Sequence, residues 1–239
     1  MVPAEAHLHH TPVTPREWTL TALTIPLTVL FIALGFWQLS RRADRIEQNK
    51  FLASRRFAQP VELTALPADT AQAHFRRVKI SGNYDYANEF VLTLRGRDGS
   101  PGVHIFTPLK RPGTDTVVLV NRGWVYAADG ITADLNPWRE PELVSASGFV
   151  ETFPTNGPFP PPTRLRAMRR LDRVAISRML PYPVAPYYVV LTDTAVTDSI
   201  PPRVSPAPLD EGPHRNYAIQ WFSFAAISII GLTFFIRRT

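Results

Sequence analysis

The stretch that decides the architecture is TLTALTIPLTVLFIALGFWQLS, Thr19–Ser40, a run of 22 residues without a charge. As a helix it would measure about 33 Å, enough to cross the hydrocarbon core of a bilayer. Trp18 and Trp37 stand near its ends, where amphipathic rings favour the headgroup level. A cleaved signal peptide fits poorly. The apolar run is longer than the roughly 7–15 residues of a signal core. Its exit, Phe36-Trp37-Gln38-Leu39, is bulky where cleavage needs small residues. The stretch therefore predicts an uncleaved anchor, with Pro26 kinking rather than breaking it.

A second run, YAIQWFSFAAISIIGLTFFI, Tyr217–Ile236, holds 20 uncharged residues, with Tyr217 and Trp221 near its start. It would span about 30 Å. The expected layout is a tail over 1–17, a first span over 18–40, a domain over 41–216, a second span over 217–236 and a short tail over 237–239. Two spans put both termini on one side. Charge does not say which. Arg41, Arg42, Arg45 and Lys50 follow the first span, whereas Arg237 and Arg238 follow the second, and long domains translocate largely regardless of charge.

The rest of the composition agrees with one domain and two spans in 239 residues. With 45% hydrophobic and 19% charged residues, there is too much apolar material for a disordered chain. There are no cysteines, which excludes disulfides, thiolate metal sites and a cysteine nucleophile. The net charge of +6 is carried almost wholly by arginine, and residues 41–216 hold 23 basic and 18 acidic side chains. Of the 24 prolines, 13 lie between 154 and 213, including Pro160-Pro161-Pro162 and Pro201-Pro202, which favours extended, wrapping loops there.

Between the spans, residues 41–57 read as a continuation of the first helix, with Ile46, Lys50 and Ala53 or Phe57 on one face. Strand signals follow. They cover Arg77–Ile80, Glu89–Arg95, Val103–Leu109, Thr116–Asn121, Leu143–Glu151 and Tyr187–Thr192. Asp98-Gly99 is a hairpin turn signal and Pro112-Gly113 a second turn. Asp172–Leu180 reads as a short helix with Asp172 as N-cap. The fold class is membrane-anchored α+β: two transmembrane helices flank a mostly antiparallel β-sheet, or partly closed barrel, with minor helices.

Enzyme signatures are missing. The chain has no phosphate loop, no G-x-G-x-x-G, no H-E-x-x-H and no G-x-S-x-G. His74 and His104 read as hydrogen-bonded structural residues, and His7, His9 and His10 as part of a loose tail. Arg164, Arg166, Arg169, Arg170, Arg173 and Arg178 form a basic run without interleaved aromatics, which argues for a solvated face and against nucleic acid.

The membrane boundary is more informative. A two-helix hairpin brings Gly35, Trp37, Gln38, Arg41 and Arg42 towards His214, Tyr217 and Trp221. His214 lies three residues before Tyr217 and seven before Trp221, so the three can share a face. Pro213 suits a first helical turn and Gly35 permits close helix approach. A boundary histidine among aromatics is a candidate haem ligand, and arginines can pair with haem propionates. An interfacial histidine bonded to water or headgroups is the alternative.

Four segments in register resemble the Surfeit locus protein 1 family. They are Gly35-Phe36-Trp37-Gln38 with Arg41, Pro101–His104 with Thr107-Pro108-Leu109, Val118–Val125 (VLVNRGWV), and His214-x-x-Tyr217-Ala218 with Trp221-Phe222. The sequence departs from the family pattern at Pro213, Arg215 and Tyr126. The resemblance implies a non-enzymatic assembly factor for haem–copper cytochrome c oxidase, in a bacterial plasma membrane. Both termini would be cytoplasmic and the central domain outside. It implies that haem a is bound, with His214 as the iron ligand and Trp221 on the same face. Tyr217, Trp37, Arg41 and Arg42 would complete the cofactor contacts. The implied partners are the oxidase catalytic subunit and the haem a synthesis machinery, within membrane lipid. Asn121, Arg122, Gly123 and Trp124 are expected to lock a strand end. A cofactor-free oxidase scaffold and a membrane-tethered envelope enzyme are the rival readings.

Overall fold

The structure, a computed structural model, describes residues 15–67, 69–141, 143–155, 166–192 and 200–238. The expectations for His7, His9, His10, Pro160-Pro161-Pro162 and Arg164 lie outside the described residues. There are two compact units, one drawn from Met1–Phe51 and Leu209–Thr239, the other Leu52–Pro208.

In chain order the elements are α1 (Pro15–Arg56), β1 (Val61–Glu62), α2 (Thr70–Ala73), β2 (Arg77–Tyr84) and β3 (Phe90–Leu92). Then come β4 (Gly102–Lys110), β5 (Val117–Tyr126), β6 (Leu143–Thr152), β7 (Ala167–Met168), α3 (Arg173–Met179), β8 (Val184–Leu191) and α4 (His214–Arg238). Helix α1 is one continuous helix through Pro26 and onward to Arg56, as the sequence predicts for residues 41–57. Both α1 and α4 are long and apolar enough to cross a membrane. Their apolar side chains point outward, with Leu23 68%, Ile227 66% and Phe234 63% exposed. Core helices would bury them, so these faces suit lipid.

The second unit is built on an eight-stranded sheet in the order β1-β2-β6-β8-β5-β4-β3-β7. A further pairing of β2 with β4, Asn83↔Lys110 and Tyr84↔Leu109, closes β2, β6, β8, β5 and β4 into a barrel. The alternation of β2 is the simplest demonstration of why. Val78, Ile80 and Tyr84 face inward and are buried, while Lys79, Ser81 and Asn83 are exposed. They meet Val118, Val120, Val150, Val189 and Leu191 in the barrel interior. On the outer face Phe90, Phe106, Leu119 and Val184 pack beneath α3, whose Ile176 is fully buried.

Most pairings are antiparallel, but β8 lies parallel to β5, β1 to β2, and β7 to β3. Asp98 and Gly99 form the expected turn, with φ of 49° and 78°. Asp172 caps α3 by accepting from Val174 N at 2.9 Å. Several strands differ from the sequence reading: β2 runs on to Tyr84, β8 begins at Val184, and two more differ for local reasons. The strand expected over Glu89–Arg95 stops at Leu92, because Leu94 adopts a φ of 57° and its N–H donates to Gly130 O. Strand β5 runs five residues beyond Asn121 because it absorbs a bulge.

That bulge centres on Arg122. Asn121 pairs with Phe106 and Gly123 with Ile105, so Arg122 is an extra residue in β5. Its side chain has no exposed surface. The guanidinium donates to Thr107 Oγ1 at 2.8 Å, to Trp138 O at 2.5 Å, and to Glu89 and Glu140 at 3.1 and 3.2 Å. Tyr86 lies against it at 5.1 Å. Arg203 closes the cluster by binding the other Glu140 oxygen at 2.7 Å. Burial holds the Glu89 carboxyl above the usual range, and Arg122 offsets this only in part.

Removing one partner of a buried ion cluster strands the others without countercharge. Arg122→Met is therefore expected to destabilise the full chain by about 3–5 kcal/mol, read as a lower chemical-unfolding midpoint. Adding Glu89→Gln to that variant is expected to recover part of the loss.

Candidate functional site

Helices α1 and α4 meet at a short polar junction. His214 is the first residue of α4, three residues earlier than the span read from charge alone. Its Nδ1 lies 2.8 Å from Gln38 Oε1. An amide oxygen only accepts, so Nδ1 is the donor in this bond. Gln38 is 9% exposed, in the last turn of the apolar stretch. Gly212, with φ +73°, turns the chain into α4; a Cβ there would stand 3.5 Å from His214 Nε2. The positive φ is what favours glycine at this point.

Closer to the middle of the helices the contact becomes aromatic. Trp221 stacks on Phe31 at 5.8 Å and meets Phe224 edge-on at 5.9 Å. Gly35 is buried; a Cβ there would sit 2.6 Å from the Phe222 ring. This is the close approach expected of that glycine. Trp37 and Tyr217 are 54% and 47% exposed, with their rings at the surface of the pair. Arg42 forms an ion pair with Glu211 at 2.7 Å, and Arg41 a longer one with Asp44 at 3.6 Å. Asn49 adds a bond to Asp210 O at 3.0 Å. The structure thus brings His214 to Gln38 and Gly212, and Trp221 to Phe31. It places Trp37 and Tyr217 outward, and gives Arg42 a carboxylate of its own.

Among the described residues no group of three or more histidines and carboxylates could hold a metal ion. His214 is instead a single-donor site, bonded to Gln38, with the aromatic contacts of Trp221 further along the helices. With Nδ1 held by Gln38, Nε2 is the ring nitrogen that could bind a haem iron.

The motif in β5 has a structural explanation. Asn121 Oδ1 accepts from Gly123 N at 3.1 Å, and Trp124 Nε1 donates to Arg95 O at 2.7 Å. Gly123 has φ +145°, and a Cβ would lie 2.6 Å from Pro202 O. His74 pairs with Glu151 at 2.8 Å. His104 Nδ1 lies 3.4 Å from Asn121 Nδ2, and burial beside Arg95 pushes its pKa down to about 4. The arginine run is held at separate points. Arg173 donates to Val184 O at 3.2 Å, Arg166 to Ala87 O, and Arg178 is exposed on α3.

Sequence reasoning missed the bond between Gln38 and His214 and the carboxylates around Arg122. Gln38 and His214 are 176 residues apart, and Glu89 and Arg122 are 33 apart. No local spacing signals either pair.

A family model described as the SURF1 family matches residues 25–226. The chain is 32% identical to Surfeit locus protein 1 of Takifugu rubripes over 124 residues, covering 46% of this chain and 50% of that protein. It is 27% identical to Surfeit locus protein 1 of Rattus norvegicus over 242 residues, covering 93% and 76%. It is 32% identical to the Homo sapiens protein of the same name over 124 residues, covering 46% and 40%. The chain thus spans half or less of the Takifugu and human proteins.

The His104 shift fixes a pH dependence. Its folded pKa of about 4 lies below the ordinary 6.5, so between these values the unfolded chain takes up a proton that the folded chain refuses. Stability from this residue is present above pH 6.5 and declines as pH falls towards 4. His104→Gln is expected to flatten that part of the curve when urea midpoints are compared across this range.

Proposed function

The chain belongs to the SURF1 family, and from that membership we propose that it is an assembly factor for haem–copper cytochrome c oxidase. In this reading it holds haem a as cargo at the membrane boundary and passes it to the nascent catalytic subunit, working beside the haem a synthesis machinery. It acts by binding and release rather than by catalysis. It resides in a bacterial plasma membrane, with both termini cytoplasmic and the β-rich domain outside, and nucleic acid plays no part.

The observation that carries the proposal is the state of His214. Gln38 accepts from its Nδ1, Gly212 turns the chain beside it, and the residue lies at the start of an apolar helix. Haem a brings the iron and its two propionates. His214 would be the residue that holds the iron, and Gln38 would orient its ring through the bond to Nδ1. Trp221 offers a flat face in the aromatic contact with Phe31, and the outward rings of Trp37 and Tyr217 supply apolar surface at the same boundary. Arg41 and Arg42 neutralise propionates. For Arg42 this means exchanging Glu211, a substitution of one charge-assisted bond for another. Both side chains are partly solvated, so the exchange is cheap.

The test uses the full chain purified from cells that make haem a. It is expected to carry haem a with a histidine-ligated spectrum. His214→Ala is expected to lose it, and Gln38→Leu to weaken it about tenfold or more. Retention of haem by His214→Ala, with unchanged spectrum and affinity, would remove that residue as ligand. Deleting the gene is expected to lower the haem a content of the oxidase. Co-purification with oxidase in a haem-free form, with normal oxidase haem content after deletion, would favour the cofactor-free scaffold.

A further inference from the structure

The outer face of the barrel carries a second feature that the helix pair does not use. Beneath the extended segment 204–207 lies a cavity of about 370 Å³, within the size range of small-molecule sites. One half of its wall is apolar, from Leu92, Phe106, Phe149 and Val190. The other half carries Arg95, Arg170, His104, Asn121 and Tyr188. A second cavity of about 330 Å³ shares His104, Val204 and Ser205, and adds Arg97, Trp124 and Arg203.

The polar half presents hydrogen-bond donors. Arg95 keeps its Nε buried and without a hydrogen-bond partner among the described residues, although its Nη2 donates to Arg169 O. A buried donor of this kind is costly to leave unmade. His104 is neutral above about pH 4. With Nδ1 turned to the Asn121 amide, its proton sits on Nε2, so the ring adds a donor. Burial, with Glu151 adding to it, holds the Tyr188 phenol well above its ordinary pKa, so its hydroxyl stays protonated. The carboxylate in the wall, Glu151, is already paired with His74 at 2.8 Å.

We propose that this cavity binds a small molecule bearing an oxyanion, a carboxylate or a phosphate ester, on an apolar body. The Arg95 guanidinium and the His104 ring meet the oxyanion, and the Phe106–Phe149 side receives the apolar part. The pairing is charge-assisted and partly desolvated, which favours an anion over its neutral isostere. The site is independent of the haem reading.

The test is isothermal titration of the full chain in detergent with three probes: 4-phenylbutyrate, phenyl phosphate and the neutral 4-phenylbutan-1-ol. At least one anion is expected to saturate, and the tighter one identifies the oxyanion. The alcohol is expected to bind about tenfold more weakly or worse. Arg95→Gln is expected to lower anion affinity by a similar factor. Ser205→Asp, an exposed position in the cavity wall, sets a like charge at the mouth without touching the core, and is expected to do the same at an unchanged unfolding midpoint. If Arg95→Gln does not fold, Ser205→Asp decides. His214→Ala is expected to leave anion binding intact. Failure of both anions to saturate, equal binding of the alcohol, or anion affinity indifferent to Ser205→Asp overturns the proposal.

Discussion

The β-domain is organised around a charge that water cannot reach. Arg122 has no exposed surface, and an unpaired guanidinium there would cost several kcal/mol. Every neighbour reads as an answer to that cost. Glu89 comes from the start of β3, Thr107 from β4, and Trp138 O and Glu140 from the loop before β6. Arg203, far along the chain, binds Glu140 in turn and also reaches the carbonyl of Arg122. Five separate stretches are thus held at one point by groups that satisfy one another. The β-bulge makes the geometry available, because one extra residue in β5 lets Val120 pack in the barrel interior and Val125 in a separate cluster with Val103 and Ile105.

Much of the architecture is legible in sequence because it depends on local periodicity. Two charge-free runs give the two apolar helices, and the turn at Asp98-Gly99 and the cap at Asp172 are one-residue signals with direct geometric meaning. The barrel is harder to read. Its closure depends on a two-residue pairing of β2 with β4, and β8 lies beside β5 in a parallel register that no hairpin announces. The motif VNRGW could be read as a strand-end lock, but not as a bulge around a buried cation. Nothing near Arg122 in sequence says that Glu89 and Glu140 will be its partners.

The candidate haem site shows the same division. His214, Trp221 and Gly35 stand out from residue type and helical spacing. The role of Gln38 depends on one hydrogen bond across the helix pair, and that of Gly212 on a positive φ two residues before the histidine. The outward placement of Trp37 and Tyr217 follows from helix rotation, which composition does not specify.

The position of β8 has a consequence in time. It is the last strand of the ring to be synthesised, yet it sits between β6 and β5. The barrel therefore stays open until residue 191 is available, and Arg203 reaches Glu140 later still. Up to that point the growing chain holds two unzipped strand edges and a Glu140 carboxylate that lacks its second cation. Non-local closure of this kind is slow and exposes edges prone to mispairing. Only 22 residues separate the end of β8 from the start of α4. Completion of the domain and emergence of the second apolar helix thus fall within one short interval of translation.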